Sequence, residues 1–142
     1  MQRKGSAVWI GGLKNGKGTV STASGVLNNT QYSFATRFEN GNGTNPEELI
    51  AAAHAGCFSM AFSAALEKAG FEAERVATEA AVSLEKVDGG FAITAVHLTL
   101  NAKIKGGINE AQFNEIANGA KAGCPVSKVL NAKITLDAKL ES

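Results

Sequence analysis

One segment of the chain, Leu49 to Leu66, contains no Asp, Glu, Lys or Arg, and it limits the possible folds more than any other feature. Asn45 is a favourable N-cap residue, and a proline and two glutamates follow it, as is typical of a helix start. Gly70 suits the C-terminal end of such a helix. The pattern predicts one helix of about 24 residues that is buried on most of its circumference.

Most residues of this segment are small, and Ala and Ser contribute little transfer free energy to a bilayer, so we expect no membrane span. The N-terminal basic residues are not followed by an apolar run, and no secretory signal is predicted. Among 142 residues, 44% are hydrophobic and the net charge is +1, which favours one folded domain over residues 1–142 with no nucleic-acid partner. Two cysteines are too few for a secreted disulfide scaffold, so a cytoplasmic location is expected.

Short alternating segments and turn residues surround the predicted helix, and their order indicates an α+β fold. The other predicted elements are a strand meander over 7–38, hairpin arms at 77–86 and 90–104, a helix over 109–122, a short helix beginning at Pro125, and a strand over 131–140.

The two cysteines are the leading candidates for chemistry. Cys124 directly precedes Pro125, so it is predicted to cap a helix N-terminus, where a thiolate is stabilised. Cys57 lies in the middle of the long helix, next to small residues that leave room beside its sulfur. By local sequence alone, Cys124 is the better thiolate and Cys57 is a buried structural cysteine.

Two charged residues, one basic and one acidic, could form a charged environment for the Cys57 thiol. Arg37 lies in a half-apolar segment, Phe34–Phe38, that we interpret as a strand, and an inward-facing arginine there would need an anionic partner. Glu47 opens the cysteine helix and could hold Arg37 in a bidentate pair. Glu47 precedes Cys57 by ten residues, about 15 Å along a helix. Arg37 would have to bridge part of that distance or come from another subunit.

His54 allows two other interpretations, because it precedes Cys57 by three residues and lies on nearly the same helix face. His54, Cys57 and Cys124 could bind zinc, with His97 as a fourth ligand, although the sequence has no CxxC motif. Alternatively, His54 and Cys57 could form a nucleophilic pair.

Three segments in order, Thr44–Phe58, Ala122–Ser127 and Thr36–Glu39 upstream of them, resemble the OsmC/Ohr family of thiol peroxidases, and most closely its OsmC branch. The resemblance covers essentially the whole chain, including Lys17–Thr22 and Val82–Val87.

The resemblance implies antiparallel sheets around a long central cysteine-bearing helix, in an intertwined homodimer with active sites at the subunit interface. Such a dimer would cover a helix that is apolar on most faces. Cys57 then resembles the peroxidatic cysteine and Cys124 the resolving one, which reverses the ranking by local sequence. Arg37 resembles the arginine that holds the thiolate, and Glu47 its carboxylate partner.

The implied reaction is reduction of organic hydroperoxides, and less efficiently of H₂O₂, with no metal or organic cofactor. An external dithiol would reduce the resulting disulfide, and lipoylated proteins serve this role for some family members. Phe58 and Phe62 are candidates to line an apolar substrate pocket. Two alternatives remain at this point: a non-catalytic protein that binds a small apolar ligand, and a zinc hydrolase that uses His54, Cys57 and Cys124.

Overall fold

The structure is a computed structural model that describes all 142 residues. The chain divides into two compact units, Met1–Leu49 and Ile50–Ser142. Helix α2, Pro46–Lys68, begins in the first unit and continues in the second. A single domain over residues 1–142 stays a prediction.

In the first unit, strands β1 (Gly5–Ile10), β2 (Lys17–Thr22) and β3 (Thr30–Tyr32) form an antiparallel sheet in the order β1-β2-β3. This confirms the predicted meander as far as Tyr32. The predicted continuation of the strand to Phe38 is wrong, because Phe34–Phe38 forms a short helix, α1.

Side-chain hydrogen bonds explain why α1 replaces a strand. The Ser33 hydroxyl accepts a hydrogen bond from the Thr36 backbone N–H at 3.2 Å, and Thr36 Oγ1 accepts one from the Ser33 N–H at 2.8 Å. This reciprocal capping box satisfies two backbone donors at the start of a helix. The alternation of large and small residues in this segment is compatible with a strand, but the capping hydrogen bonds favour the helix that forms.

Helix α2 begins and ends where its capping residues predict. The Asn45 side-chain oxygen accepts a hydrogen bond from the Glu48 N–H at 2.8 Å, and Gly70 takes the left-handed conformation, with φ of 87°, after the helix ends. One face of the helix is fully buried, and it consists of His54, Phe58, Phe62 and Leu66. The opposite face is exposed, and it consists of Ala52, Gly56, Met60 and Ala64.

In the second unit, β4 (Glu72–Val87), β5 (Gly90–Lys105) and β6 (Lys133–Glu141) form a sheet in that order. β4 and β5 form the predicted antiparallel hairpin, whereas β6 pairs parallel to β5. The α+β class is confirmed, and antiparallel pairing holds for every strand pair except β5–β6. Helices α3 (Glu110–Gly123) and α4 (Pro125–Val129) connect these two strands, and a parallel pair requires a crossover of this length.

The core of the second unit lies between the sheet and the helices. Alternate residues of β5 are fully buried, as their period-two pattern predicts: Val96, Leu98, Leu100 and Ala102. Phe62 contacts Phe113 of α3 edge to face, with ring centroids 5.7 Å apart. This contact joins α2 and the first turn of α3 in one core cluster, which also contains Cys124.

By length and apolar composition, α2 alone among the helices could cross a membrane. Core helices of soluble proteins pass the same test, and the buried face of α2 packs into the core cluster.

Candidate active site

The two cysteines meet where three helices converge. Cys57 lies in the middle of α2, and Cys124 lies between the last residue of α3 and the first residue of α4. Both are free thiols, and their sulfur atoms are 3.1 Å apart, in hydrogen-bond contact. A disulfide bond needs a separation of about 2.05 Å, so these sulfurs could join with a movement of about 1 Å.

The two sulfurs differ in exposure. Cys57 is half-buried, whereas Cys124 is completely inaccessible to solvent. Of the two cysteines, only Cys57 is in part accessible to solvent in this chain.

The pKa values of the two thiols shift in opposite directions. Burial and the hydrogen bond to Cys124 raise the pKa of the Cys57 thiol. Burial alone would raise the pKa of Cys124 as well, but the neighbouring Cys57 thiol and the polar groups of Ser127 and Val126 outweigh burial and lower that pKa. Cys124 occupies the N-cap position of α4 without a side-chain capping hydrogen bond. Its pKa is lowered while that of Cys57 is raised, which agrees with the local-sequence prediction that Cys124 is the more acidic thiol. Cys57 needs a positive charge to ionise readily at neutral pH.

His54 lies one turn before Cys57 on the buried face of α2. Its Nε2 is 2.7 Å from Ser127 Oγ, while its Nδ1 is buried and has no hydrogen-bond partner. Burial lowers the pKa of His54, so its ring is neutral at pH 7. The sequence interpretation missed Ser127, although its position three residues after a predicted helix cap was a usable signal.

His97 lies apart from this cluster, on β5. Its ring nitrogens contact Thr135 Oγ1 at 2.6 Å and Asp137 Oδ2 at 3.1 Å. No group of three or more His, Cys, Asp or Glu side chains is arranged to hold a metal ion. The four residues considered as zinc ligands therefore do not form a zinc site.

Arg37 and Glu47 form an ion pair in the first unit. Both Arg37 Nη2, at 2.8 Å, and Arg37 Nε, at 3.0 Å, donate to the same oxygen, Oε1. The structure pairs these two residues, but both donors share one carboxylate oxygen, and Oε2 is buried without a hydrogen-bond partner. The Arg37 side chain is 39% exposed and that of Glu47 is 11% exposed, so the carboxylate anchors a guanidinium that remains accessible.

Two side-chain hydrogen bonds fix the backbone around this pair, one from Asn45 to α1 and one within the start of α2. The Asn45 amide donates to the Thr36 carbonyl at 3.0 Å, and the Thr44 hydroxyl donates to Glu48 at 2.8 Å. Arg37 therefore projects from a capped helical turn, where the sequence interpretation had placed a strand.

A cavity of about 260 Å³ opens beside Arg37 in the first unit. Its apolar wall consists of Trp9, Leu13, Tyr32, Phe34 and Phe38. The prediction that Phe58 and Phe62 line an apolar pocket is wrong, because both side chains are fully buried and fill the core.

Comparison with known proteins places these features in a family. A family model described as OsmC-like protein matches residues 39–139. The chain is 57% identical to Peroxiredoxin OsmC of Escherichia coli (strain K12) over 142 residues, which cover 100% of this chain and 99% of that protein. It is 30% identical to Organic hydroperoxide resistance protein OhrB of Bacillus subtilis (strain 168), over 87% of this chain and 88% of that protein.

The fold agrees with these sequence matches. The crystal structure of OhrB of Bacillus subtilis superposes with a TM-score of 0.68 at 28% identity, covering 97% of this chain and 98% of that chain. The α+β architecture, the paired thiols and the sequence matches agree, and the chain belongs to the OsmC-like protein family.

Proposed function

We propose that this chain is a cysteine-based peroxidase that reduces organic hydroperoxides to alcohols. The observation that carries the proposal is the pair of free thiols 3.1 Å apart, one accessible and one fully buried. This arrangement suits a sulfur that reacts with peroxide and a second sulfur that completes the reaction. The printed names of the relatives, a peroxiredoxin and an organic hydroperoxide resistance protein, support the same activity.

In the first step, the Cys57 thiolate attacks the distal oxygen of the hydroperoxide. The O–O bond breaks, Cys57 becomes a sulfenic acid, and the departing alkoxide takes a proton and leaves as an alcohol. The partial accessibility of Cys57 supports this role, because Cys124 is closed to solvent.

Arg37 supplies the positive charge that this step requires. The raised pKa of Cys57 would leave mostly thiol at neutral pH, and a guanidinium nearby favours the thiolate and the charge that develops on the leaving oxygen. Glu47 holds the Arg37 Nε and Nη2 groups, and the Nη1 group lies outside those two bonds. We propose that this pair meets the cysteines at a subunit interface.

In the second step, Cys124 attacks the Cys57 sulfenic acid and forms an intramolecular disulfide with loss of water. An external dithiol, such as the lipoyl group of a lipoylated protein, then reduces the disulfide by thiol exchange.

The cavity beside Arg37 supports an organic substrate. Its wall is mainly aromatic and aliphatic, and the guanidinium is its charged group. An apolar substituent gains free energy on entering such a cavity, whereas H₂O₂ has no apolar surface to bury.

We further propose a cytoplasmic homodimer as the working form. The exposed face of α2 consists of small residues and Met60, which is 77% exposed. All six residues of β1, including Val8 and Ile10, are exposed as well. A second copy of the chain would cover this apolar surface.

Replacing Cys124 by serine is expected to preserve the first turnover and to stop the cycle after it. The variant keeps the accessible Cys57, so it should consume about one equivalent of organic hydroperoxide, but its sulfenic acid has no resolving partner. Mass spectrometry should then show Cys57 as sulfenic acid and, with excess peroxide, as sulfinic acid.

Wild-type protein under the same conditions should show a disulfide and no sulfinic acid. If wild-type protein treated in the same way, without added reductant, also kept Cys57 as sulfenic or sulfinic acid and formed no disulfide, Cys124 would not be the resolving cysteine.

A further inference from the structure

Two side-chain contacts, one helical turn apart, join α2 to the start of α4. His54 Nε2 lies 2.7 Å from Ser127 Oγ, and the sulfurs of Cys57 and Cys124 lie 3.1 Å apart. His54 precedes Cys57 by three residues, and Ser127 follows Cys124, the N-cap of α4, by three residues. The two contacts are therefore about 4.5 Å apart along each segment, and the segments pair in opposite directions. Neither His54 nor Ser127 has a role in the two steps described above.

Helix α4 has few means of holding its own position. It has only five residues, and none of them is fully buried. A helix of this length is not stable by itself in water, so its place in the fold depends on contacts with its neighbours. Val126 and Leu130 pack on the core cluster while partly buried, and the hydrogen bond from the fully buried His54 adds a directional contact to α2.

The unpaired nitrogen of His54 shows which group donates in this hydrogen bond. Nδ1 is buried without a partner, and a buried N–H donor without a partner is costlier than a buried lone pair. The neutral ring therefore carries its proton on Nε2, which donates to Ser127 Oγ. Any movement of α4 that separated the two residues would leave this N–H buried without an acceptor, so the hydrogen bond opposes such a movement.

We propose that His54 and Ser127 are positioning residues whose hydrogen bond holds the start of α4 against α2 and so keeps the Cys124 sulfur beside the Cys57 sulfur. The inference rests on the proposed peroxidase function and adds a role for two residues that do not touch the peroxide. A sulfur that is already in place reacts faster, because the entropy cost of bringing the two groups together is met before the reaction.

The step that this contact assists balances as an exchange at sulfur. The Cys124 thiolate forms a bond to the Cys57 sulfur as the S–O bond of the sulfenic acid breaks, and hydroxide leaves. The hydroxide takes up the proton that the Cys124 thiol had lost, so the products are one disulfide and one water. A slower second step gives another peroxide molecule more time to oxidise the Cys57 sulfenic acid to sulfinic acid.

Ser127→Ala tests the proposal first at equilibrium and without peroxide. Wild type and variant are equilibrated with reduced and oxidised glutathione, and peptide mapping gives the fraction with a Cys57–Cys124 disulfide. In this exchange one oxidised glutathione takes the electrons of the two protein thiols and leaves as two reduced glutathiones. Without the hydrogen bond the dithiol form gains freedom that the cross-linked form lacks, so the equilibrium constant for disulfide formation should fall about fivefold.

The second measurement follows the peroxide reaction in time. Rapid mixing with one equivalent of cumene hydroperoxide separates sulfenic acid formation from disulfide formation. Disulfide formation should be about fivefold slower in Ser127→Ala. The slowing should persist at high pH, where Cys124 is ionised in both proteins, because the lost contact sets the position of Cys124. With excess peroxide, the variant should accumulate more Cys57 sulfinic acid than wild type does.

Three further variants separate positioning from general damage to the fold. Ser127→Thr keeps the hydroxyl and should restore both wild-type values. Ser59→Ala removes a hydroxyl contact of the same length between α2 and another element, since Ser59 Oγ lies 2.7 Å from Thr78 Oγ1 of β4, and should change neither value. His54→Phe keeps a ring without a donor, and combining it with Ser127→Ala should slow disulfide formation no more than His54→Phe alone does.

An unchanged glutathione equilibrium in Ser127→Ala would overturn the proposal, and so would an equal change in Ser59→Ala. A slowing that disappears at high pH would also overturn it, because Ser127 would then act on the acidity of Cys124. The glutathione equilibrium needs no peroxide, so it decides the inference even if the proposed function fails. Failure of the wild-type chain to consume peroxide would instead refute the proposed function.

Discussion

Replacing Cys57 by serine is expected to lower the rate at which the protein consumes an organic hydroperoxide by about 10³-fold or more relative to wild type. A serine hydroxyl is not ionised at neutral pH and lacks the nucleophilicity of a thiolate, and Cys124 is too buried to substitute for it. The measurement is the loss of cumene hydroperoxide with time in the presence of excess dithiol.

Comparison with Cys124→Ser makes this test specific. That variant keeps the accessible sulfur and should still react once, so the two serine substitutions should separate the two steps. If Cys57→Ser kept the first oxidation and Cys124→Ser were inert, the roles assigned from accessibility would be reversed. The test is informative because the two properties point to different residues. Exposure favours Cys57 as the sulfur that reacts with peroxide, whereas the lowered pKa favours Cys124.

Replacing Arg37 by alanine is expected to lower the rate of the first step about 10²-fold at neutral pH. In the proposed mechanism the positive charge favours the thiolate over the thiol, so its loss should raise the pKa of Cys57. A smaller fraction of Cys57 is then ionised at pH 7, and the rise of rate with pH moves to higher pH. Part of the lost rate should return at high pH, where the thiolate forms without help. The remaining deficit would reflect the missing stabilisation of the leaving oxygen.

Two variants calibrate the Arg37 result. Arg37→Lys keeps the charge but lacks the Nε and Nη2 groups that donate hydrogen bonds to Glu47. It should therefore recover only part of the rate. Arg75→Ala removes an arginine from an exposed ion pair with Glu141, at 3.7 Å, and should leave the rate unchanged. A pH–rate profile that is identical in wild type and Arg37→Ala would remove Arg37 from the mechanism.

Much of the fold was predictable because the relevant signals are local. The start of α2 at Pro46 depends on an Asn45 side chain that caps the helix, and the β5 core face follows a period-two pattern. The nature of α1 was misjudged because the Ser33–Thr36 capping box competes with an alternation that also suits a strand. The parallel pairing of β6 was not predicted, because it depends on a crossover between distant segments.

In the candidate site, too, local properties were predictable from the sequence, whereas properties set by tertiary packing were not. Cysteine type and helix-cap position pointed to Cys124 as the more acidic thiol, and the lowered pKa of Cys124 agrees with this. The two cysteines differ in exposure, and exposure depends on tertiary packing that no local pattern records. The same packing buries Phe58 and Phe62 in the core and brings Ser127 against His54, so these outcomes required the structure.

The central claim is that Cys57 and Cys124 form one redox pair that a single hydroperoxide molecule oxidises. Its most direct test is to count free thiols before and after one equivalent of cumene hydroperoxide, with peptide mapping of the product. We predict that both thiols disappear together and that the map shows a disulfide between Cys57 and Cys124 within one chain. Two free thiols remaining after exposure to the peroxide would contradict the account.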